Sequence, residues 1–123
     1  MLKVMVVDDS AFARRMMRRA LEEAGHTVSE ADGGAAALEL YPATRPDVVT
    51  LDLLMPGMEG AEVLQRLLDL DPGARVIVCS SNVQTVVKSR LLALGARGYL
   101  TKPPAREALL QALAAATEPS SHA

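Results

Sequence analysis

Aromatic residues and cysteine are scarce in this sequence. Its 123 residues include no tryptophan, one phenylalanine, two tyrosines and one cysteine, Cys79. A core without aromatic bulk must be built from aliphatic side chains, which fits an apolar content of 50%. A single cysteine cannot form an internal disulfide, so the sequence favours a reducing, cytoplasmic compartment.

Long apolar runs and an excess of one charge are also missing. No segment approaches the roughly 18 to 20 apolar residues that cross a bilayer, and the N-terminus lacks the features of a signal peptide. Thirteen basic and fifteen acidic residues give a net charge of −2, without the basic excess typical of nucleic-acid binders. We therefore expect one soluble domain that neither inserts into membranes nor binds nucleic acid directly.

Strand-like and helix-like patterns alternate along the chain. Short apolar runs predict strands at 2–7, 26–31, 47–51, 75–80 and 97–101. Helical spacing predicts helices at 11–24, from 32 to about 41, and at 59–70, 82–95 and 104–116. The predicted inward side of the first helix comprises Ala13, Met16, Met17, Ala20, Leu21 and Ala24. The small polar tail at 119–123 is expected to be disordered.

Five strands, each followed by a helix, predict a three-layer α/β domain over residues 1–118. Short connections of this kind give a parallel sheet covered by helices on both faces. In such sheets ligands bind beyond the carboxyl ends of the strands. The residues that follow each strand are therefore the candidates for a site.

Carboxylates, a hydroxyl and a lysine follow the strands that would meet at this edge. They are Asp8 and Asp9 after the first strand, Asp52 after the third, Ser80 at the end of the fourth and Lys102 after the fifth. Three converging carboxylates would repel one another unless a cation joined them, and oxygen ligands favour Mg²⁺. An ammonium and a hydroxyl suit phosphoryl oxygens, and a carboxylate can be the nucleophile that forms an acyl phosphate.

Each of these residues has a plainer interpretation when taken alone. The acidic pair can lie in a solvated loop, Asp52 can be a turn residue, and Ser80 can cap the fourth helix. Lys102 can be a surface lysine. The combination favours a site because each residue type follows the appropriate strand.

Four segments resemble receiver domains of bacterial two-component response regulators, the CheY-like superfamily. They are VVDDS, LDLLMPGMEG, VCSS and GARGYLTKPP, and the resemblance covers about residues 2–116. It implies a flavodoxin-like (βα)5 fold with a parallel sheet in the order 2-1-3-4-5. DDSAFARRMM and VIVCSS are most similar to stand-alone chemotaxis-type receivers and to the receivers of chemotaxis methylesterases.

The resemblance implies a role for each acidic residue. Asp52 corresponds to the phospho-accepting aspartate. Asp9 corresponds to a direct Mg²⁺ ligand, and Asp8 acts mainly through water. The backbone carbonyl of Leu54 would complete the protein ligands.

The resemblance also implies a switch. Ser80 corresponds to the hydroxyl that turns toward the phosphoryl group, and Lys102 to the residue that pairs with that group. Tyr99 corresponds to the aromatic residue that swings inward, although it also fits a half-buried strand residue. Pro103 stands where the family commonly has a cis peptide bond. Four positions vary in the family or depart from its pattern: Leu54, Ser81, Asn82 and Pro104.

The implied function is phosphorelay signalling. A histidine kinase or a histidine phosphotransfer protein would donate a phosphoryl group to Asp52, and the domain would catalyse only its own phosphorylation and slow dephosphorylation. Its output would be a protein contact through the fourth helix, fifth strand and fifth helix, with a flagellar or motility component as a possible target. The protein would be a monomer or a phosphorylation-dependent dimer. An exposed first-helix face with Phe12, Arg14 and Arg15 is expected to contact the donor; the alternative is a solvated basic stripe without a partner.

Other functions are alternatives. A haloacid-type phosphatase would need an aspartate where Ser10 stands, and a flavin carrier would need stacking aromatics and a hydroxyl-rich phosphate loop. A non-phosphorylated pseudo-receiver that acts as an interaction scaffold and a receiver fragment of a larger regulator both stay open.

Overall fold

The computed structural model describes residues 1–53, 57–81 and 85–118, so Leu54, Asn82 and the predicted tail at 119–123 lie outside the described residues. The strands are β1 (Lys3–Val7), β2 (Thr27–Ala31), β3 (Val48–Asp52), β4 (Val76–Ser80) and β5 (Gly98–Thr101). The helices are α1 (Ala11–Glu23), α2 (Gly34–Thr44), α3 (Gly60–Leu70), α4 (Thr85–Ala93) and α5 (Arg106–Thr117). In these three ranges, no helix has the length and apolar character that a membrane span requires.

The strands form one parallel sheet in the order β2-β1-β3-β4-β5, which confirms the predicted topology. The register pairs Val7 with Leu51 and Asp52 with Cys79. The carboxyl ends of β1, β3 and β4 therefore lie side by side, and the residues that follow them share one edge of the sheet.

Two apolar layers cover the sheet. Because side chains alternate along a strand, Val4 and Val6 of β1 pack in the layer formed with α1 and α5. Met5 and Val7 pack on the opposite face, in the layer formed with α2, α3 and α4. Burial on both faces explains why the central strands are continuous apolar runs.

Three of the differences from the sequence prediction concern the helices α2, α5 and α1. Helix α2 continues past Pro42 to Thr44, whose hydroxyl donates to the carbonyl of Leu40 at 3.0 Å. Helix α5 begins at Arg106, two residues later than predicted, after a proline pair. Met16 is 51% exposed rather than inward. Of the predicted inward side of α1, Met17, Ala20 and Leu21 pack in the core layer.

Gly60, the first residue of α3, permits a close approach to the end of β3. Its amide donates to the carbonyl of Leu53 at 3.2 Å. A Cβ atom on Gly60 would lie 2.7 Å from the Cα of Leu53 and 3.1 Å from the carbonyl oxygen of Asp52. A side chain at this position would therefore push α3 away from the backbone that carries Asp52.

We expect Gly60→Ser to lower the free energy of unfolding by about 1–3 kcal/mol, because the added atoms overpack a backbone contact. The matched control is Gly33→Ser, since Gly33 has open space around its Cα and serine is a favourable N-cap for α2. Urea denaturation measures both changes. Equal stability of the two variants would contradict the predicted contact.

Tyr41 joins α2 to the turn after α3. Its side chain is buried, and its hydroxyl donates to Oδ2 of Asp71 at 2.9 Å. Burial raises the pKa of Tyr41 to about 12, and the hydrogen bond and negative charge of Asp71 act in the same direction. The protonated phenol is therefore the form that the folded protein prefers.

We expect Tyr41→Phe to lower the free energy of unfolding by about 1 kcal/mol at neutral pH, because one buried hydrogen bond is lost. The folded-state pKa lies above the usual 10.0, so the contribution is fully present below pH 10 and is lost as the pH rises through about 12. The stability difference between wild type and variant should shrink over that window. Denaturation at a series of pH values tests this, and a constant difference would contradict it.

Candidate functional site

Three carboxylates meet at the carboxyl edge of the sheet. One oxygen each from Asp8, Asp9 and Asp52 lies within 4.8 Å of the others. Asp8 and Asp52 are buried, with 6% and 5% of their surface exposed, whereas Asp9 is exposed. An all-oxygen donor set that is open on one side fits a hard divalent cation that keeps several waters.

Local hydrogen bonds hold the acidic pair between β1 and α1. The amide of Asp8 donates to the carbonyl of Ala31 at 3.1 Å, which extends the β1–β2 pairing by one residue. Oδ1 of Asp8 accepts from the amide of Ser10 at 2.9 Å. Ser10 in turn caps α1, because its hydroxyl accepts from the amide of Ala13 at 3.1 Å. The turn is thus fixed at both ends.

Lys102 supplies the positive charge of the cluster. Its Nζ lies 2.7 Å from Oδ2 of Asp8 and 3.4 Å from Oδ2 of Asp52. Burial by itself lowers the pKa of Lys102, but the hydrogen bond to Asp8 and the charges of Asp52 and Asp8 outweigh it and raise the pKa above its ordinary value. The side chain is therefore an ammonium at neutral pH.

Cys79 lies beside the carboxyl end of β3 but offers no thiolate. It is a free, buried thiol in register with Asp52. Burial is the main reason that its pKa is raised to about 11; Lys102 opposes this shift, and Asp52 and Asp8 add to it. Since a thiol binds metals as the thiolate, Cys79 does not compete with the carboxylates.

The remaining predicted residues lie on β4 and β5. Ser80 is fully buried at the end of β4, and its carbonyl accepts from the amide of Lys102 at 2.9 Å. Tyr99 is half-buried on β5 and packs against the core layer of α2, α3 and α4. The peptide bond between Lys102 and Pro103 is cis. Leu54, the expected source of a backbone ligand, lies outside the described residues.

Arg14 does not lie on an exposed face, so that part of the first-helix prediction is wrong. Its side chain is 17% exposed, and its Nε donates to Oε1 of Glu30 at 3.1 Å. Its Nη1 donates to the backbone carbonyl of Asp8 at 2.7 Å. Phe12, by contrast, is 69% exposed, and Arg15 is also exposed. Helical spacing locates Arg14 on α1 but cannot identify its partner on a strand, Glu30 of β2.

Glu30 is the residue that sequence reasoning missed. It lies on β2, a strand set apart from the candidate site, and it contacts both Arg14 and Arg18. The available signal was the i, i+4 spacing of two arginines together with one acidic residue in the adjoining strand.

An apolar groove of about 620 Å³ opens beside the cluster. Its apolar lining includes Phe12, Met16, Pro103, Pro104 and Leu109. Asp8, Ser81 and Lys102 also line it, so the groove leads directly to the acidic site.

Comparison with known proteins assigns the chain to a family. Residues 4–114 match the response regulator receiver domain. The chain is 36% identical to chemotaxis protein CheY of Thermotoga maritima over 112 residues, which cover 90% of this chain and 93% of that protein. It is 37% identical to chemotaxis protein CheY of Listeria monocytogenes over 114 residues, which cover 92% and 96%.

A solved structure shares the same fold. The chain resembles a structure of the CheX–CheY–BeF3–Mg²⁺ complex from Borrelia burgdorferi with a TM-score of 0.91 and 29% identity, over 95% of this chain and 90% of that one. The strand order and the acidic cluster agree with this similarity. The chain belongs to the family of response regulator receiver domains and is CheY-like.

Proposed function

We propose that Asp52 accepts a phosphoryl group from a phosphohistidine of a histidine kinase or a histidine phosphotransfer protein. The observation that carries the proposal is the meeting of Asp8, Asp9 and Asp52 within 4.8 Å, with the ammonium of Lys102 beside them. The phosphoryl-accepting unit is the domain formed by residues 1–118.

The charges of the cluster support a divalent cation. Three carboxylates and one ammonium leave two net negative charges in a largely buried crevice. Mg²⁺ would balance them and, when bound, would neutralise charge on the phosphoryl oxygens. Asp9 and Asp52 would hold it directly, Asp8 through water, and the carbonyl of Leu54 would complete the set.

The chemical step needs one carboxylate and a leaving group. A carboxylate oxygen of Asp52 attacks phosphorus, the phosphorus–nitrogen bond to the donor imidazole breaks, and the imidazole leaves with a proton from solvent. Lys102, which lies 3.4 Å from Asp52, stabilises the charge on the transferred group. Water later hydrolyses the acyl phosphate slowly, so the domain is not a turnover enzyme on an external substrate.

The groove beside the cluster is the proposed approach of the donor. Phe12 and Met16 are exposed along α1, and the groove ends at Asp8 and Lys102. An amphipathic helix of the donor would bury these apolar side chains and bring its phosphohistidine to the acidic edge. Arg15 lies on the exposed side of α1, whereas Arg14 is engaged within the domain.

The proposed output is a change at α4, β5 and α5. Phosphorylation adds about −1.5 to −2 charges, which would draw Lys102 and the hydroxyl of Ser80 toward Asp52 and let Tyr99 turn inward. Lys102 and Ser80 are joined by a backbone hydrogen bond of 2.9 Å. The carboxyl ends of β4 and β5 would therefore respond together to the phosphoryl group. The partner would be a protein, such as a flagellar or motility component. A cytoplasmic location fits the free thiol of Cys79.

We expect wild-type protein to gain the mass of one phosphoryl group when it is incubated with Mg²⁺ and acetyl phosphate. Asp52→Ala should gain none, because the nucleophile is lost. Asp69→Asn is the control, since Asp69 is an exposed aspartate of α3 outside the cluster. Intact-protein mass spectrometry measures all three. A mass gain that persists in Asp52→Ala would refute the assignment, and no gain in wild type would favour the scaffold alternative.

We expect Asp9→Asn to weaken Mg²⁺ binding by at least about 10-fold, since even residues outside the ligand shell cost that much in metal sites. Asp69→Asn removes the same charge near the carboxyl end of α3. This position lies roughly 13 Å along the helix axis from the amino end of α3. Screening should limit its effect to less than about twofold. Titration with MgCl2, followed by amide chemical shifts, gives the dissociation constants. Equal effects of the two variants would contradict the metal role of Asp9.

A further inference from the structure

An ion-pair clamp links α1 to β2 beside the acidic site. The carboxylate of Glu30 lies between two arginines of α1, with Arg14 Nε at 3.1 Å from Oε1 and Arg18 Nε at 2.8 Å from Oε2. Arg18 also donates to the carbonyl of Val28 at 2.9 Å. Glu30 is thereby contacted from two sides, and the hydrogen bond that it accepts from Arg14 Nε orients the guanidinium of Arg14.

The oriented guanidinium reaches the acidic loop. Arg14 Nη1 donates to the backbone carbonyl of Asp8 at 2.7 Å. That carbonyl belongs to the peptide unit that carries the amide of Asp9, and a peptide unit is planar. Fixing the carbonyl therefore fixes the direction in which the chain enters Asp9.

Asp9 has little else to hold it. Both oxygens of Asp8 are engaged, by the amide of Ser10 and by Lys102. Asp9 is exposed, and within residues 1–53, 57–81 and 85–118 its carboxylate accepts no hydrogen bond. Its position relative to Asp52 depends on the backbone before it.

We propose that Arg14 and Glu30 form a positioning pair that sets the Asp8–Asp9 peptide for Mg²⁺ binding. This inference rests on the proposed function only in requiring that the cluster binds Mg²⁺. Arg14 contacts the carboxylate of Glu30 and the backbone carbonyl of Asp8 rather than a carboxylate of the cluster, so it acts through the backbone. Partners that orient metal ligands in this way commonly affect metal affinity.

Charge alone predicts the opposite result, which makes the inference testable. A guanidinium near a cation site repels the incoming ion, so its removal would tighten binding of Mg²⁺ if only electrostatics mattered. Removal of a positioning contact weakens binding. The sign of the change in affinity therefore distinguishes the two effects.

We expect Arg14→Ala to raise the dissociation constant for MgCl2 by roughly 10-fold, measured by amide chemical shifts. Arg19→Ala is the matched control, because it removes the same charge from the same helix at a side chain that is 75% exposed and contacts Glu23. Arg19→Ala should leave the affinity unchanged or slightly tighter. In metal-free protein, the amide resonance of Asp9 should shift in Arg14→Ala and stay in place in Arg19→Ala.

Two further variants keep the test decisive if Arg14→Ala folds poorly. Arg14→Lys retains the charge but cannot bridge Glu30 and the Asp8 carbonyl with a planar fork, so binding should still weaken. The double variant Arg14→Ala/Glu30→Gln removes one charge of each sign. It should bind Mg²⁺ as weakly as Arg14→Ala, whereas a purely electrostatic role would restore wild-type affinity.

Two outcomes separate the inference from the function on which it rests. If wild-type protein binds Mg²⁺ and Arg14→Ala binds it equally well or more tightly, the positioning pair is overturned and the proposed function stands. If wild-type protein does not bind Mg²⁺ at all, the metal-dependent function fails, and the inference fails with it.

Discussion

Repulsion among three neighbouring carboxylates is the constraint on which this site depends. Asp8 and Asp52 are both nearly buried, where charges interact more strongly than in water. The parallel pairing of β1 with β3 forces them together, because Val7 lies in register with Leu51 and the next residues emerge side by side. The aliphatic layers on both sheet faces supply the stability that holds this unfavourable arrangement in place.

Lys102 connects the three carboxylates to β5, the strand at one edge of the sheet. Its ammonium lies against Asp8 and Asp52, although β5 is separated from β1 by two strands. Its backbone amide is bonded to Ser80, so any movement of Lys102 toward a charge on Asp52 acts on the ends of β4 and β5. The contacts of Lys102 therefore connect Asp52 to the ends of both β4 and β5.

The fold was predictable because its signals are local or periodic. Apolar runs identify the strands, and Asp8, Asp9, Asp52 and Lys102 could be grouped because the carboxyl ends of parallel strands share an edge. Individual side-chain contacts outside that shared edge were not predictable. Arg14 has helical spacing like its neighbours, but its contacts with Glu30, sixteen residues away, and with the Asp8 carbonyl draw it inward. The continuation of α2 past Pro42 and the exposure of Met16 likewise depend on packing that periodicity does not contain.

The contribution of β2 shows why a site should not be equated with its ligand-bearing strands. This edge strand places no side chain in the acidic cluster. Yet the carbonyl of Ala31 accepts the amide of Asp8, and Glu30 engages the guanidinium that binds the Asp8 carbonyl. An exposed carboxylate such as that of Asp9 can be accurately placed only if the backbone before it is rigid. The support for the most exposed carboxylate therefore comes from the strand that lies outside the cluster.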